Sequence, residues 1–472
     1  MQFSRISHFI TTRMHASAFA IVLSSVALAA APAAAQYSLP SDSVVRATIR
    51  ERVSGKRSSG IAVGLIDANG KRRFIADGAG DNGAPLDEHS VFEIGSVTKT
   101  FTASLLADMV ARGEVRLDQP VAELLGAGAV IPERNGRKIT LVDLATQSSG
   151  LPRMPSNFAP ADRTNPYADY DGPKLLTFLA GHQLTRDVGE KYEYSNLGMG
   201  LLGFALARKA NVSYERLVTE RVLRPLEMRE SAITLSPAMA ARLAPGHDES
   251  LMPTRTWDLD ALGGAEAIRS TVSDMVRYLA AHMDSTSKPL GKTFAMTHGR
   301  RFGTAQPNLS LGLAWHRLNN MSGDTLVWHN GQTGGYHSWV GYSPALHVGI
   351  VILSNSATSI DDIALHFMDG RIPLTKPPVV RTEVAVAPDV LETYLGVYQL
   401  APTFAITVTR EGAQLFIQAT GQPRFPAFAE AEGRFFLRVV DAQIEFTKDG
   451  SGTVDALILV QNGARQRASK GK

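Results

Sequence analysis

The apolar and polar positions change period several times along the chain. Ile61 to Ile66 is an unbroken apolar run, Arg72 to Ala76 follows, and Asp67-Ala-Asn-Gly70 between them predicts a strand, a turn and a strand. The period then lengthens. Phe101, Leu105 and Met109 recur at steps of four, Leu106 and Val110 widen the apolar face, and Gly113 after Arg112 ends a helix that starts near Ser96. Ile139 to Pro152 predicts a short helix closed by Gly150 and Pro152, and Arg153 to Pro173, rich in Pro, Asn, Asp and Tyr without a period, predicts a long loop. Helices are expected over Leu197 to Lys209, over Ser270 to His282 with Ser270 or Thr271 as cap, and near Asp361 to Met368. Leu311 to His316, Thr325 to His329, Tyr336 to Tyr342 and Val348 to Leu353 read as strands of one antiparallel sheet. Helices mixed with such a sheet predict an α+β domain over residues 36–375.

Lys376-Pro-Pro-Val opens a linker over residues 376–387, and the pattern beyond it is different. From Pro388 onward short alternating segments follow one another: Ala405 to Thr409, Gln414 to Ala419, Arg434 to Val439, Ala442 to Thr447 and Val454 to Val460. Their even spacing, with Gly412, Gly433 and Gly450 at turns, predicts a small all-β barrel or sandwich over residues 388–472. It carries no catalytic cluster, and its expected role is structural or substrate-restricting.

Residues 1–35 carry a different signal. Arg5 and Arg13 precede the apolar run Ala18 to Ala31, and Ala33-Ala34-Ala35 before Gln36 has the form of a cleavage site, so export to the periplasm is expected. No later segment has the roughly 20 apolar residues of a spanning helix. The formal charge of +3 loses Arg5 and Arg13 with the signal and becomes +1, too even a balance for a nucleic-acid partner. The chain has no cysteine, which rules out disulfide and thiolate chemistry.

Candidate chemistry begins at Phe92-Glu-Ile-Gly-Ser-Val-Thr-Lys99, where Ser96 and Lys99 stand three apart. Positions i and i+3 share a helix face, so hydroxyl and amine can meet, and the N–H of Ser96 at a helix start is free for a substrate oxygen. Serine is also a preferred N-cap, lysine is commonly a surface residue, and the same spacing recurs at Ser285–Lys288 and Ser469–Lys472. Tyr194-Ser195-Asn196 is the single Tyr-x-Asn and lies at a loop-to-helix junction, where Tyr194 could relay a proton or merely pack. His329-Asn330-Gly331 followed by Gln332-Thr-Gly-Gly335 is either a hairpin turn or a glycine-rich strand that a substrate can approach closely. Neither a Gly-x-Ser-x-Gly elbow nor a His-Glu-x-x-His motif occurs.

In the order Ser-x-x-Lys, Tyr-x-Asn, His-x-Gly, the chain resembles the serine β-lactamase and penicillin-binding superfamily. The likeness is to the branch of class C β-lactamases, D-aminopeptidases, DD-carboxypeptidases and family VIII esterases. It extends over Val44 to Leu353, includes the Phe92-Glu-Ile-Gly95 lead-in and the run Leu144 to Pro152, and continues in Tyr394-Leu-Gly-Val-Tyr398, which is similar to the start of an appended β-barrel. The resemblance implies an antiparallel sheet flanked by helices with an all-helical subdomain. It implies that Ser96 forms an acyl-enzyme, that Lys99 and Tyr194 handle the proton, and that Asn196 orients Lys99 or a substrate amide. The oxyanion hole would be the N–H groups of Ser96 and Gln332, with Gly331 allowing close approach. His329 stands where many members carry lysine, so its charge toward a substrate carboxylate depends on pH. No metal or cofactor is implied. The expected function is hydrolysis of amides of D-amino-acid peptides or related small substrates. The alternatives are a carboxylesterase, a weak class C-like β-lactamase or, from another class, a non-catalytic penicillin-binding-like interaction protein.

Overall fold

The computed structural model describes residues 38–471 apart from 81–82, 285, 287–289, 320–322, 377–380, 403, 423, 438–441 and 462–463. The expected export signal lies outside the described residues, as do Ser285 and Lys288 and most of the Lys376-Pro-Pro-Val stretch. Among the described residues no helix is long and apolar enough to cross a membrane.

The central element is an eight-stranded antiparallel sheet. In chain order its strands are β1 (Gly60–Ile66), β2 (Arg72–Gly78), β3 (Phe302–Gly303), β4 (Leu309–Leu311), β5 (His316–Asn319), β6 (Thr325–Gln332), β7 (His337–Ser343) and β8 (Val348–Ser354), and in space they run β2-β1-β8-β7-β6-β5-β4-β3. Strands from both ends of the region meet where β1 pairs with β8, Val63 opposite Ile352. Both strands are buried throughout, because helices cover both faces. Helix α1 (Asp42–Ser54), capped by Ser41, buries Val45 and Ile49 on the face carrying Ile61, Val63, Leu65 and Trp339. The other face, with Ala62, Val340, Val351 and Leu353, packs on the larger core.

That larger core is built around α2 (Thr98–Ala111), and here the structure departs from the amphipathic reading. Every residue from Thr98 to Met109 is buried. Its polar residues are accommodated locally: Ser104 Oγ donates to the Thr100 carbonyl at 2.9 Å, Thr100 Oγ1 to that of Val97 at 2.8 Å, and Asp108 pairs with Arg112 and Arg221. Phe101 stacks on Tyr278 at 3.9 Å, joining α2 to the helix Val272–Met283, whose cap is Thr271. The helix α3 (Asn196–Ala210) and the shorter helices Leu141–Ala145, Gly172–Gly181, Tyr214–Val218, Gly263–Glu266 and Gly291–His298 also belong to the helical layer.

One predicted strand is corrected. Leu311 to His316 is not continuous: β4 ends at Leu311, Ala314 adopts φ +61°, and β5 begins at His316. Leu313 and Ala314 donate their N–H groups to the carbonyls of Thr297 and Ala145, so tertiary partners take the bonds a strand would have used.

The C-terminal region is a closed eight-stranded antiparallel barrel in sequential order, from Gly396–Ala401 to Ala464–Lys470. Tyr394 and Tyr398 are buried in its core, and Tyr394 stacks on Phe446 at 4.4 Å. Three of its strands are not among those the alternation predicts. Gly396–Ala401 overlaps the Tyr394–Tyr398 motif, Arg424–Ala431 contains Pro426, and Ala464–Lys470 buries only Ala468, so its alternation has no apolar partner positions.

Candidate active site

Ser96 lies on the 3₁₀ turn Gly95–Val97, which runs into α2. It is not a cap: no side chain caps that turn, and α2 begins two residues later. Lys99 is wholly buried, not a surface residue, and its Nζ donates to Ser96 Oγ at 2.7 Å and to the Ala265 carbonyl at 3.2 Å. Burial lowers the Lys99 ammonium to about 8; Glu266 at 3.7 Å opposes the shift, and Arg153 reinforces it.

Tyr194 is held by the residues around it. Ser195 caps α3 by accepting from the Gly198 N–H at 2.8 Å, donates to the Pro152 carbonyl at 2.6 Å, and gives its own N–H to Gln147 Oε1 at 2.7 Å. The run Leu144 to Pro152 thus clamps the Tyr-x-Asn junction. The Tyr194 ring lies 4.9 Å from Lys99 Nζ. Burial raises the phenol far above its ordinary value, partly offset by Ser96, so Tyr194 stays protonated at neutral pH. Asn196, on the first turn of α3, is almost fully buried, and its Oδ1 has no partner among the described residues.

The Asn330-Gly331 pair is not a hairpin turn. Both residues lie inside β6, and the turn falls at Thr333 to Tyr336, where Thr333 N–H donates to the Tyr336 carbonyl at 3.0 Å. Antiparallel pairs alternate between bonded and non-bonded, so with Thr333 bonded to the β7 side, the N–H of Gln332 opposite His337 faces away from β7. Pairing with β5 has already ended at His316–Trp328, which leaves that N–H directed at the Ser96 turn. A Cβ built on Gly331 would stand 2.8 Å from Ser96 N and 2.1 Å from the Ile94 carbonyl oxygen, so strand and turn touch backbone to backbone. Gly95, at φ +48°, packs as tightly on Gln332.

The pocket in front of Ser96 has a volume of about 540 Å³ and is lined by Ser96, Tyr194, Asn196, Gly331 and Gln332 together with Arg153, Tyr167, Trp257 and Glu266. Lys99 meets it through Ser96. His329 does not line it. Its ring is almost fully buried behind the wall, 5.0 Å from His316 and 6.3 Å from Tyr194, with Nδ1 2.5 Å from the Asn330 carbonyl. Burial, His316 and Lys99 hold His329 well below its ordinary value, so the pH-dependent positive charge expected near neutrality is absent. Among the described lining residues, Arg153 carries the positive charge.

Glu266, which the sequence reading missed, ends the short helix Gly263–Glu266 and is 5% exposed. Ser96 Oγ donates to its Oε1 at 3.0 Å. Nothing in its neighbourhood Gly-Gly-Ala-Glu marks a catalytic motif. The only available signal was a lone acidic residue in an apolar stretch, Ala261 to Ile268. Among the described residues no group of His, Cys, Asp and Glu could hold a metal ion.

A serine at the start of a helix beside a dehydrated lysine, facing a pocket lined by the end of an inner strand of an antiparallel sheet, defines a serine hydrolase. The chain belongs to the β-lactamase family: a family profile described as Beta-lactamase matches residues 45–369, and one described as a domain of unknown function, DUF3471, matches 380–469. It is 27% identical over 349 residues to a β-lactamase of Pseudomonas fluorescens, covering 66% of this chain and 92% of that protein. It is also 27% identical over 347 residues to the D-alanyl-D-alanine-carboxypeptidase/endopeptidase AmpH of Escherichia coli K12, covering 68% and 88%. Among solved structures, a class C β-lactamase superposes with a TM-score of 0.60 at 23% identity over 71% of this chain and 97% of its own, a likeness of fold.

Proposed function

We propose that the protein hydrolyses amide bonds of D-amino-acid peptides or related small substrates through an acyl-enzyme on Ser96. The observation that carries this reading is the 2.7 Å contact between Ser96 Oγ and a wholly buried Lys99 Nζ. Attack by Ser96 places negative charge on the carbonyl oxygen, where the N–H groups of Ser96 and Gln332 receive it. Lys99 and Tyr194 handle the proton, the Tyr194 hydroxyl serving as donor. Asn196, with an unpaired Oδ1 beside the pocket, meets the substrate amide. The peptide-acting relative AmpH supports the substrate class. Export with cleavage after Ala35 is part of the same proposal, since a peptide substrate of this kind is met outside the cytoplasm, and so is the division into a hydrolase domain (36–375), a linker (376–387) and an appended barrel (388–472).

Carboxylester hydrolysis is the second reading. A neutral, buried His329 offers a substrate carboxylate no charge, which favours uncharged acyl donors. Incubation with a fluorophosphonate or a fluorescent penicillin, followed by mapping of the adduct, tests the nucleophile. Labelling of Ser96 that is lost in Ser96→Ala is expected, and no adduct on Ser96 would overturn the reading. A panel of p-nitrophenyl esters, D-alanyl amides and nitrocefin then ranks the substrates.

A further inference from the structure

The hydroxyl of Ser96 both accepts and donates a hydrogen bond. Lys99 Nζ donates to Oγ at 2.7 Å, so the hydroxyl proton is free to point elsewhere, and it points to Glu266 Oε1 at 3.0 Å. Neither Lys99 as an ammonium nor Tyr194 as a phenol can accept that proton. The carboxylate can. It is also held in place by the helix that bears the nucleophile, since Lys99 Nζ donates to the Ala265 carbonyl at 3.2 Å and Thr102 Oγ1 to the Gly264 carbonyl at 2.6 Å. The second carboxylate oxygen, Oε2, is buried, lines no bond among the described residues, and belongs to a side chain that faces the pocket. A buried carboxylate is costly unless charge compensates it, and its ion-pair partner among the described residues, Lys99 at 3.7 Å, belongs to the reacting group.

We propose that Glu266 is the general base of this site, taking the proton of Ser96 in acylation and of the hydrolytic water in deacylation, with Lys99 acting as a cation and proton donor. The proposal rests on the reading of Ser96 as the acylated nucleophile. In the first half-reaction the Oγ–H proton passes to Glu266 Oε1 as Oγ bonds to the carbonyl carbon and the carbonyl electron pair moves onto oxygen. Return of that pair breaks the bond to the leaving group, which takes a proton from Lys99. Glu266 then passes its proton to Lys99, restoring both charges. In the second half, water gives a proton to Glu266 while its oxygen bonds to the acyl carbon, and Ser96 Oγ departs with a proton from Lys99. Glu266 again returns its proton to Lys99, and the carboxylic acid is released.

The groups facing this carboxylate are Lys99 from α2, Arg153 and Tyr167 from the long loop, and Tyr194 and Asn196 at the start of α3, with His316 and His329 behind Lys99. Of these, the group that changes charge near neutral pH is Lys99, lowered to about 8 by burial. The test is the pH dependence of kcat/KM between pH 6 and 9 for a p-nitrophenyl ester, with wild type and Glu266→Gln, alongside intact-mass detection of the Ser96 adduct and a melting curve. With Glu266 as base the wild-type value does not climb through pH 8. In Glu266→Gln only neutral Lys99 can accept the proton, so kcat/KM rises about tenfold per pH unit until Lys99 is neutral, and because Glu266 no longer holds the Lys99 value up, that plateau is reached below the wild-type value of about 8. The variant also accumulates the acyl adduct. Superimposable profiles for the two proteins would overturn the proposal. If Glu266→Gln does not fold, the wild type alone decides: a tenfold climb per unit through pH 8 overturns it, and its absence supports it. Failure of wild-type Ser96 to form any adduct overturns the hydrolase reading and this inference together, whereas adduct formation with unchanged profiles overturns the inference alone.

Discussion

Replacement of Gly331 by alanine probes the contact that brings the two halves of the oxyanion site together. The added methyl carbon would stand 2.1 Å from the Ile94 carbonyl oxygen, 2.6 Å from Ser338 Oγ and 2.8 Å from Ser96 N. Two of these are backbone atoms of the nucleophile turn, and the third belongs to the side chain that donates to the same Ile94 carbonyl at 2.7 Å. No rotamer change relieves the clash, so β6 and the Ser96 turn must separate by about 1 Å, a displacement of the size that costs a catalytic geometry on the order of a hundredfold. Loss of one oxyanion donor costs about 10²–10³ in kcat, or roughly 3–4 kcal/mol. A fall of that size in kcat is expected for the best ester substrate, with KM changed less than threefold, because the ground-state carbonyl depends little on the hole. Overpacking also lowers stability by about 1–3 kcal/mol, so a melting curve accompanies the kinetics. A variant that melts as a folded protein and keeps kcat within threefold of wild type would refute the claim that Ser96 and Gln332 form the hole.

Two further outcomes follow from the structure. Ser195→Ala removes the α3 cap and the tie to Pro152, costing about 1 kcal/mol of stability in a denaturant melt; because the same residue fixes the Tyr194–Asn196 junction, kcat falls more than stability does, and an unchanged kcat would separate the cap from the site. Glu93 is 3% exposed, and burial raises its carboxyl to about 7 despite Arg269. The folded protein therefore binds a proton that the unfolded chain has lost between about pH 4.5 and 7, and stability declines over that interval as pH rises, by about 3 kcal/mol in all. Glu93→Gln flattens the decline, measured as unfolding free energy at pH 5 and 7.5; an equal decline in the variant would reassign it.

The amino-acid sequence by itself determined the local elements and the reactive pairing. An i, i+3 spacing, a Tyr-x-Asn at a loop-to-helix junction and a glycine-rich strand are properties of short segments, and short segments carry them wherever they lie. It also determined that the C-terminal region is built of alternating strands, although barrel closure relies on Ala464–Lys470, which buries only Ala468 and shows no pattern of its own. What only the tertiary structure decided is what surrounds the pair. Lys99 is dehydrated because α2 is buried on every side, a fact hidden by its polar side chains, of which Thr100 and Ser104 bond back to nearby carbonyls and Thr102 to that of Gly264. His329 lies on the face of β6 that carries Gly331, opposite Val340, yet its ring is buried beside His316, and the imidazole loses its charge by burial, which no motif encodes. Glu266 reaches Ser96 across 170 residues of chain. Its position depends on the packing of one short helix against α2, and contacts made at such separation leave no periodicity for a sequence to display.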